Sequence, residues 1–244
     1  MSADRLNAKF GTDTEKQLCT LFRKNKDLPE KLLRKLNLSG GDFLEVYPTG
    51  TSNKKSDLLA MYAGGAGIGI NVKSARSIGF NQVTRTWLDS FASKIGLSEF
   101  AIKAIQNGID NHRLKRSKIL IEEQYRDLLA TELSKKSGKI IEEIFMGIGN
   151  DVAKCLVLIN KANNTIHFYD IREAVYSISK QPIEFSKNGV IQFGDFITLQ
   201  RKGGDGNVKR PPKSDPKHPG NQIQFKMKII KYMEAVPPML TSSL

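Results

Sequence analysis

The chain has 244 residues, of which 39% are hydrophobic and 26% are charged, a composition that suits a globular protein with a substantial core. Its 38 Lys and Arg against 25 Asp and Glu give a formal net charge of +13, which indicates a polyanionic partner, either nucleic acid or an acidic membrane surface. No apolar run approaches the roughly 20 residues that span a bilayer, and the N-terminus lacks a signal-peptide core, so we expect a soluble cytoplasmic protein of prokaryotic type.

Cysteine and histidine usage argues against disulfides and against zinc. Cys19 and Cys155 fall within apolar-periodic runs, which predicts reduced thiols in the core. His112, His167 and His218 lie far apart in the sequence and have no ligand-like spacing. We therefore expect no structural zinc site.

The first predicted element is an amphipathic helix over residues 12–26, with Thr12 or Asp13 as its N-cap. Glu15 would lie in the first turn of this helix, where we favour a role in complementing the helix dipole over that of an acid reaching toward a metal site. The elements predicted next are a helix over 29–38, a strand over 43–47, a hairpin over 58–74, a polar loop to residue 82 and a helix resuming over 83–91.

The middle of the chain, residues 97–135, is predicted to be helical with a basic break at 112–118, followed by a further helix over 139–145. Its expected core residues are Leu97, Ile102, Ile105, Ile119, Tyr125, Leu128 and Leu129. Strands over 153–159 and 165–169 lead to a helix over 171–179, for which Asp170 and Glu173 form a capping box. The strands predicted for the antiparallel C-terminal sheet cover 183–185, 190–193 and 196–200, before a final segment over 222–228.

The hairpin carries the residues of greatest interest. Leu58–Tyr62 has strand character, the glycines of 63–69 permit a tight reversal, and the chain returns as a second strand. In the returning strand Asn71 and Lys73 are two residues apart, so both lie on one face. Asp57, at the start of the first strand, can then lie beside them.

An acid, an acid or amide, and a lysine two residues later form the working set of metal-dependent nucleases with the motif Asp…(Asp/Glu)-x-Lys. Oxygen ligands hold a hard cation such as Mg²⁺ on the scissile phosphate, and the lysine orients or deprotonates the attacking water. The neutral amide of Asn71 brings one negative charge fewer than the usual carboxylate. The pattern alone also fits a turn aspartate with a solvated strand lysine.

Two further segments are typical of a nucleic-acid interface. The polar loop after Lys73 carries Arg76, Asn81 and Gln82 on the side of the predicted catalytic strand. Between Leu199 and Lys231, nine Lys or Arg stand against two acids, which gives +7 of the total +13. These charges are mixed with Gln, Asn and Asp, the side chains that pair with base edges in the major groove, so the mixture suggests sequence reading.

Taken together, these segments resemble the small type II restriction endonucleases of the PD-(D/E)xK superfamily that act on four-base sites. The GCGC-cutting HinP group is the closer match, and the CCGG-cutting MspI is more distant. The chain departs from the family in a longer loop, rich in proline and lysine, over Val208–Gly220. The motifs that carry the resemblance occur in the same order: Ser56-Asp57, Asn71-Val72-Lys73, Gly79-Phe-Asn-Gln82 followed by Trp87-Leu88, Gln200-Arg-Lys-Gly-Gly-Asp205 and Gln222-Ile-Gln-Phe-Lys226.

The resemblance implies an α/β fold with a mixed central sheet flanked by helices, Mg²⁺ dependence and monomeric action on double-stranded DNA. It implies a single nuclease domain, with a catalytic half over about 1–135 and a recognition half over about 136–244. Asp57, Asn71 and Val72 would hold the metal and Lys73 would act on the water, with Glu15 as a candidate accessory acid. The expected DNA-binding residues are Arg76, Asn81, Gln82, Gln200, Arg201, Lys202, Asp205, Gln224 and Lys226.

The expected function is therefore a type II restriction endonuclease that cuts at a short GC-rich palindrome, with GCGC as the best guess. A cognate DNA methyltransferase is expected in the same system, because host DNA must be protected, but not as a bound partner. Two alternatives stay open: a non-catalytic DNA- or RNA-binding protein in which Asp57 and Lys73 form a salt bridge, and a structure-selective repair nuclease of the same fold.

Overall fold

The computed structural model describes residues 3–49, 55–147, 153–203 and 211–244, without the side chains of residues 3–10. Its helices are α1 (Ala3–Lys24), α2 (Asp27–Lys35), α3 (Leu88–Ile95), α4 (Glu99–Arg113), α5 (Glu123–Phe145), α6 (Ile171–Ser179) and α7 (Ile229–Ala235). Its strands are β1 (Phe43–Pro48), β2 (Leu58–Tyr62), β3 (Gly67–Ala75), β4 (Asn81–Thr86), β5 (Cys155–Asn160), β6 (Thr165–Asp170), β7 (Ile183–Phe185), β8 (Ile191–Phe193), β9 (Ile197–Arg201), β10 (Ile223–Met227) and β11 (Leu240–Ser243).

These elements form two compact units, each assembled from separate segments. One unit holds Met1–Gly79, Phe145–Val175 and Ile229–Leu244, and the other holds Phe80–Ile144 and Tyr176–Lys228. The chain therefore passes between the units several times. The predicted assignment of catalysis to one half of the sequence and recognition to the other stays a prediction.

The first unit is built on a six-stranded sheet in the order β1-β2-β3-β5-β6-β11. Strands β3 and β5 are parallel and the other pairs are antiparallel, so the sheet is mixed. Its alternating apolar residues, such as Ile70 and Val157, form one buried cluster with Leu18 and Phe22 of α1. The Phe22 ring stacks on Phe168 with their centroids 6.1 Å apart. This confirms the expected fold class, a mixed central sheet flanked by helices.

The β2–β3 hairpin is confirmed. Leu58 pairs with Ile70, and the reversal passes through Gly64 and Gly65, whose φ angles are +83° and +84°. Side chains with a Cβ rarely adopt such φ values, which explains the glycines at this turn.

The second unit holds an antiparallel sheet in the order β4-β10-β9-β8-β7, together with α3, α4 and most of α5. Gly108 of α4 lies so close to the Leu120 backbone that a Cβ would stand 1.7 Å from the Leu120 carbonyl oxygen. The predicted C-terminal antiparallel strands are confirmed. So is the helix over 171–179, where Asp170 Oδ1 accepts a hydrogen bond from the Arg172 amide at 2.8 Å.

Several predicted elements were wrong. α1 begins at Ala3, so Thr12 and Asp13 lie inside the helix and do not cap it; the helix runs through the Gly11 position in spite of its low propensity. Residues 83–86 belong to strand β4, because they pair with β10 and because β-branched residues favour a strand. The segment 139–145 continues α5 without a break.

Part of the predicted core was also wrong. Leu128 is 64% exposed and Ile119 is 38% exposed, whereas Leu97, Ile105 and Leu129 are buried as expected. Apolar periodicity predicts which face of a helix is buried, and Leu128 lies just outside that face of α5. Cys19 and Cys155 are both buried free thiols, as predicted. Among the described residues, no helix has the length and apolar character needed to cross a membrane.

Candidate active site and nucleic-acid interface

Asp57 is fixed where the first hairpin strand begins. Its backbone amide donates to the Ile70 carbonyl at 2.8 Å, which anchors the residue against β3. Its Oδ2 accepts a hydrogen bond from the Val72 amide at 2.6 Å and another from the Lys73 ammonium at 3.0 Å. Lys73 also donates to the Val72 carbonyl at 2.9 Å. The carboxylate, the ammonium and the Val72 peptide groups thus form one connected cluster.

This cluster is partly shielded from water, since the Asp57 side chain is 26% exposed and the Lys73 side chain 16% exposed. Removing either charge would leave the other in a partly desolvated setting, which is less favourable than in bulk water. The structure therefore brings two of the predicted catalytic residues together. The same geometry is that of a plain ion pair, so these two residues alone do not distinguish a catalytic site from a structural one.

The side chain of Asn71 helps to distinguish a catalytic site from a structural ion pair. Its side chain is only 2% exposed, and its Nδ2 donates to the backbone carbonyls of Lys55 at 3.0 Å and Phe145 at 2.9 Å. Since a carbonyl oxygen can only accept, these two contacts fix the orientation of the amide. Oδ1 is then buried, and within the described part of the chain it has no hydrogen-bond partner. Leaving a buried acceptor unpaired costs about 1–3 kcal/mol.

Asn71 Oδ1, buried and without a partner among the described residues, is the kind of donor that a hard cation takes, and the amide of the next residue, Val72, binds the Asp57 carboxylate. Asn71 Oδ1 and the Asp57 carboxylate therefore fit Mg²⁺. The Val72 carbonyl fits as well, although Lys73 occupies it here and would have to turn away. Across the described ranges, no group of three or more His, Cys, Asp and Glu side chains is arranged to hold a metal. The set of oxygen donors here is accordingly poor in charge, since it consists of the Asp57 carboxylate, the neutral amide of Asn71 and a backbone carbonyl.

Glu15 belongs to this site rather than to a helix end. The dipole interpretation was wrong, because α1 begins at Ala3 and Glu15 is far inside the helix. The pKa of the Glu15 carboxyl is raised from 4.5 to about 7, first by burial and second by the Asp57 carboxylate, while the Lys73 ammonium opposes the rise. The side chain thus interacts electrostatically with both members of the cluster. A carboxyl with such a pKa can carry or release a proton near neutrality.

The amide also explains the departure from the acidic motif. A carboxylate at position 71 would turn an oxygen toward the carbonyls of Lys55 and Phe145, which have no proton to give. Sequence reasoning missed these two residues, because they act through their backbone and leave no side-chain pattern.

In the second unit, the predicted base-reading residues lie on neighbouring strands. Gln200 of β9 pairs directly with Gln224 of β10, and Gln224 Nε2 donates to Gln82 Oε1 of β4 at 2.5 Å. On β4 the backbone partner of Gln224 is Arg85 and that of Lys226 is Gln82, so the contact between the Gln224 and Gln82 side chains runs diagonally between the two strands. The three amides form a row across the sheet, in which Gln82 is exposed and Gln224 is 6% exposed. Such a row offers donors and acceptors of the type that read base edges.

The remaining predicted DNA-binding residues differ in their exposure and in the unit to which they belong. Lys226 and Asn81 lie half-buried on β10 and β4, and Arg76 is exposed after β3 in the first unit. The Lys202 amide donates to the Gln222 carbonyl at 2.8 Å, which closes the base of the loop after β9. Asp205 lies outside the described residues, as does the start of the loop over 208–220.

The guanidinium of Arg201 contacts side chains of the protein. Its Nε and Nη2 donate to Asn221 Oδ1 at 3.2 and 2.8 Å, and its Nη1 lies 3.3 Å from His112 Nδ1. Burial lowers the pKa of the guanidinium, and the nearby Arg113 lowers it further. These contacts hold the Arg201 guanidinium against Asn221 and His112. Sequence reasoning did not find Asn221 and His112, because they are brought to Arg201 only by the tertiary fold.

The likeness to solved structures concerns the fold. No protein-family model matches the sequence, and no curated protein matches it. The chain is similar in structure to the restriction endonuclease MspI in complex with its cognate DNA, with a TM-score of 0.55 and 15% sequence identity. The similarity covers 82% of this chain and 77% of that one. The chain therefore has a restriction-endonuclease-like fold.

Proposed function

We propose that the protein is a type II restriction endonuclease, a Mg²⁺-dependent enzyme that cuts both strands of DNA at a short GC-rich palindrome. The observation that carries the proposal is Asn71 Oδ1, buried and without a partner among the described residues, on the strand that also supplies Val72 and Lys73 to the Asp57 cluster. The chain has a restriction-endonuclease-like fold, similar to that of MspI. The net charge of +13 supports a polyanionic substrate. GCGC is the best candidate site, on the resemblance of the sequence motifs to the HinP group.

Hydrolysis of a phosphodiester needs an activated water and stabilisation of the charge that develops on the phosphate. The Lys73 ammonium is placed to offset that charge and, when it has lost its proton, to accept one from the water. Asp57 holds Lys73 in position through the 3.0 Å contact. Mg²⁺ held by Asp57, Asn71 Oδ1 and the Val72 carbonyl, with Glu15 as an accessory acid, would supply Lewis-acid polarisation of the scissile phosphate.

Sequence reading would fall to the amide row of Gln82, Gln200 and Gln224. Because Gln224 donates to Gln82, the amide orientation of one residue constrains that of its neighbour. A row constrained in this way presents a defined order of donors and acceptors, which is what discrimination between bases requires. Arg76, Asn81, Arg201, Lys202, Asp205 and Lys226 would add phosphate and base contacts.

The partners in this proposal are double-stranded DNA and, in the same system but not bound to the enzyme, a cognate methyltransferase. The protein would act as a monomer in the cytoplasm. A single nuclease domain would contain both the cleavage and the reading functions.

A second candidate is a non-catalytic DNA-binding protein, which the closed ion pair between Asp57 and Lys73 favours. In that case the pair would be purely structural. Asn71 Oδ1, which is buried and has no partner in the described ranges, supports the catalytic proposal instead, because a structural pair gives no reason for leaving that atom unsatisfied.

The two candidates are separated by Lys73→Ala, assayed with a duplex that contains GCGC. The endonuclease proposal predicts that cleavage is abolished while duplex binding in EDTA stays close to wild type. Lys180→Ala, which removes a lysine from the second unit, is the charge-matched control and should cut normally. Cleavage by Lys73→Ala at the wild-type rate would overturn the assigned role, and a wild-type protein that binds the duplex without cutting any DNA would support the second candidate.

A further inference from the structure

We propose that Thr198 is a further base-reading residue, whose hydroxyl accepts a hydrogen bond from the amino group of a cytosine. Lys226, its neighbour on the next strand, would donate to the guanine of the same base pair. The inference rests on the proposed function in so far as DNA is the substrate and the amide row reads its sequence.

Thr198 lies on the same face of the β4-β10-β9-β8-β7 sheet as the amide row. Its neighbours along β9, Ile197 and Leu199, are fully buried core residues. Because side chains alternate along a strand, Thr198 and Gln200 both point to the opposite face. On β10 the same alternation places Lys226 on this face, since the residues on either side of it are also fully buried in the core.

The register of the sheet puts Thr198 between two longer polar side chains. It pairs with Gln192 of β8 on one side and with Lys226 of β10 on the other. Lys226 is in turn the partner of Gln82 on β4. Four polar residues thus follow one another across four adjacent strands, about 4.8 Å from strand to strand.

The hydroxyl of Thr198 is the observation that points to a ligand. The residue is 4% exposed, and its Oγ1 has no hydrogen-bond partner in the part of the chain that the structure describes. A buried polar group without a partner destabilises a protein, whereas valine has nearly the same shape, also favours strands and carries no such cost. Threonine at this position therefore indicates a partner outside the protein.

A G·C pair offers groups that complement Thr198 and Lys226. In the major groove guanine presents the acceptors N7 and O6, and cytosine presents its N4 amino donor on the same edge of the pair. The Lys226 ammonium can only donate, so it suits guanine, whereas Thr198 Oγ1 can accept from the cytosine amino group. Because the two residues pair directly on adjacent strands, both can contact one base pair.

The neighbours of Thr198 account for its burial in the free protein. Paired side chains on one face of a sheet have their Cβ atoms about 4.5–5.5 Å apart. We therefore expect the longer side chains of Gln192 and Lys226, both half-buried, to lean over the shorter threonine. When Lys226 extends toward guanine, the hydroxyl beside it becomes open to cytosine.

The test is a binding cycle between the hydroxyl and the cytosine amino group. A cognate duplex is selected from a random pool by binding to the wild-type protein in EDTA, so that no cleavage occurs. Each cytosine of that duplex is then replaced in turn by 2-pyrimidinone, which is cytosine without its amino group. Wild type is compared with Thr198→Val, which removes the hydroxyl, with Thr198→Ser, which keeps it, and with the control Thr241→Val at an exposed position of β11.

At one cytosine position the wild type should lose roughly 3- to 10-fold in affinity for the analogue, which corresponds to one hydrogen bond. Thr198→Val should bind the unmodified duplex more weakly by a similar factor and lose nothing further with the analogue. Thr198→Ser and Thr241→Val should respond as the wild type does. Thr198→Val should also melt about 2–4 °C above the wild type, because it no longer buries a hydroxyl without a partner.

A Thr198→Val protein that responds to every cytosine as the wild type does would overturn the inference, as would a wild type that selects no sequence. A melting temperature of Thr198→Val below that of the wild type would also overturn it, because the hydroxyl would then have a partner within the protein. Cleavage is scored separately. DNA cut by the wild type with an unchanged Thr198→Val response removes only the reading role, whereas a response that depends on Thr198 without any cleavage removes only the nuclease.

Discussion

Replacing Glu15 by Gln tests whether this acid belongs to the site through its electrostatic environment. The Glu15 carboxyl has a pKa of about 7 in the folded protein, against an ordinary value of 4.5. Between these values the folded state keeps a proton that the unfolded state has lost, so the stability of the wild type falls as pH rises from about 4.5 to 7. Glu15→Gln cannot ionise and escapes this loss. The variant should therefore become more stable than the wild type as pH rises.

The size of the effect follows from the same values. At about 1.4 kcal/mol per pKa unit, the difference between 4.5 and about 7 sets a ceiling of about 3 kcal/mol. Glu15 is only half-buried and is screened by water, which reduces the expected gain to about 1–2 kcal/mol. The gain should be near zero at pH 4.5 and should level off above pH 8.

The assay is urea unfolding of both proteins at intervals from pH 4.5 to 8.5, with Asp13→Asn as the matched control. Asp13 is exposed on the same helix, so its replacement removes a carboxylate outside the cluster. If Glu15→Gln and the wild type keep a constant difference in stability across this range, the account of Glu15 is refuted. Adding Mg²⁺ at pH 8 and constant ionic strength extends the test: it should stabilise the wild type more than Glu15→Gln, because Mg²⁺ offsets the repulsion between two carboxylates.

Three further predictions concern single positions. Asn71→Asp should lower the free energy of unfolding at pH 7 by about 2–4 kcal/mol in urea titrations, because an unpaired charge would face two backbone carbonyls; unchanged stability would contradict the assigned amide orientation. Gly108→Ala should destabilise by about 2–4 kcal/mol through its clash with Leu120, whereas Gly138→Ala in α5 should stabilise by about 0.5–1 kcal/mol, both measured by thermal unfolding. Gln224→Leu should relax site preference in a cleavage assay with variant duplexes while Mg²⁺ dependence is kept; unchanged preference would remove the amide row from reading.

Local patterns in the sequence predicted the hairpin well. The alternation of Leu58–Tyr62, the glycines of the turn and the two-residue spacing of Asn71 and Lys73 are all short-range signals. The same holds for the C-terminal antiparallel strands and for Asp170 at the start of the helix over 171–179, where its carboxylate accepts from the Arg172 amide; the reciprocal capping box with Glu173 stays a prediction. In each case neighbouring residues decide the conformation, so little tertiary information is needed.

Long-range pairing decided the rest. The sequence around Val83 predicts a helix, but the segment forms strand β4 because it pairs with β10, which lies far along the chain. The sequence predicts that Glu15 lies in the first turn of a helix. Its interaction with Asp57 depends on how α1 packs against the sheet, which no local pattern shows. The parallel pairing of β3 with β5 joins residues about 85 positions apart along the chain and leaves no local pattern.

The central claim is that this chain is a sequence-specific, Mg²⁺-dependent endonuclease. Its most direct test is incubation of the purified protein with unmethylated phage DNA, in Mg²⁺ and in EDTA, followed by gel electrophoresis and sequencing of the fragment ends. The account predicts discrete fragments only with Mg²⁺, with ends that map to one short GC-rich palindrome. A smear would indicate a nonspecific or structure-selective nuclease, and intact DNA with retarded mobility in both conditions would contradict the claim outright.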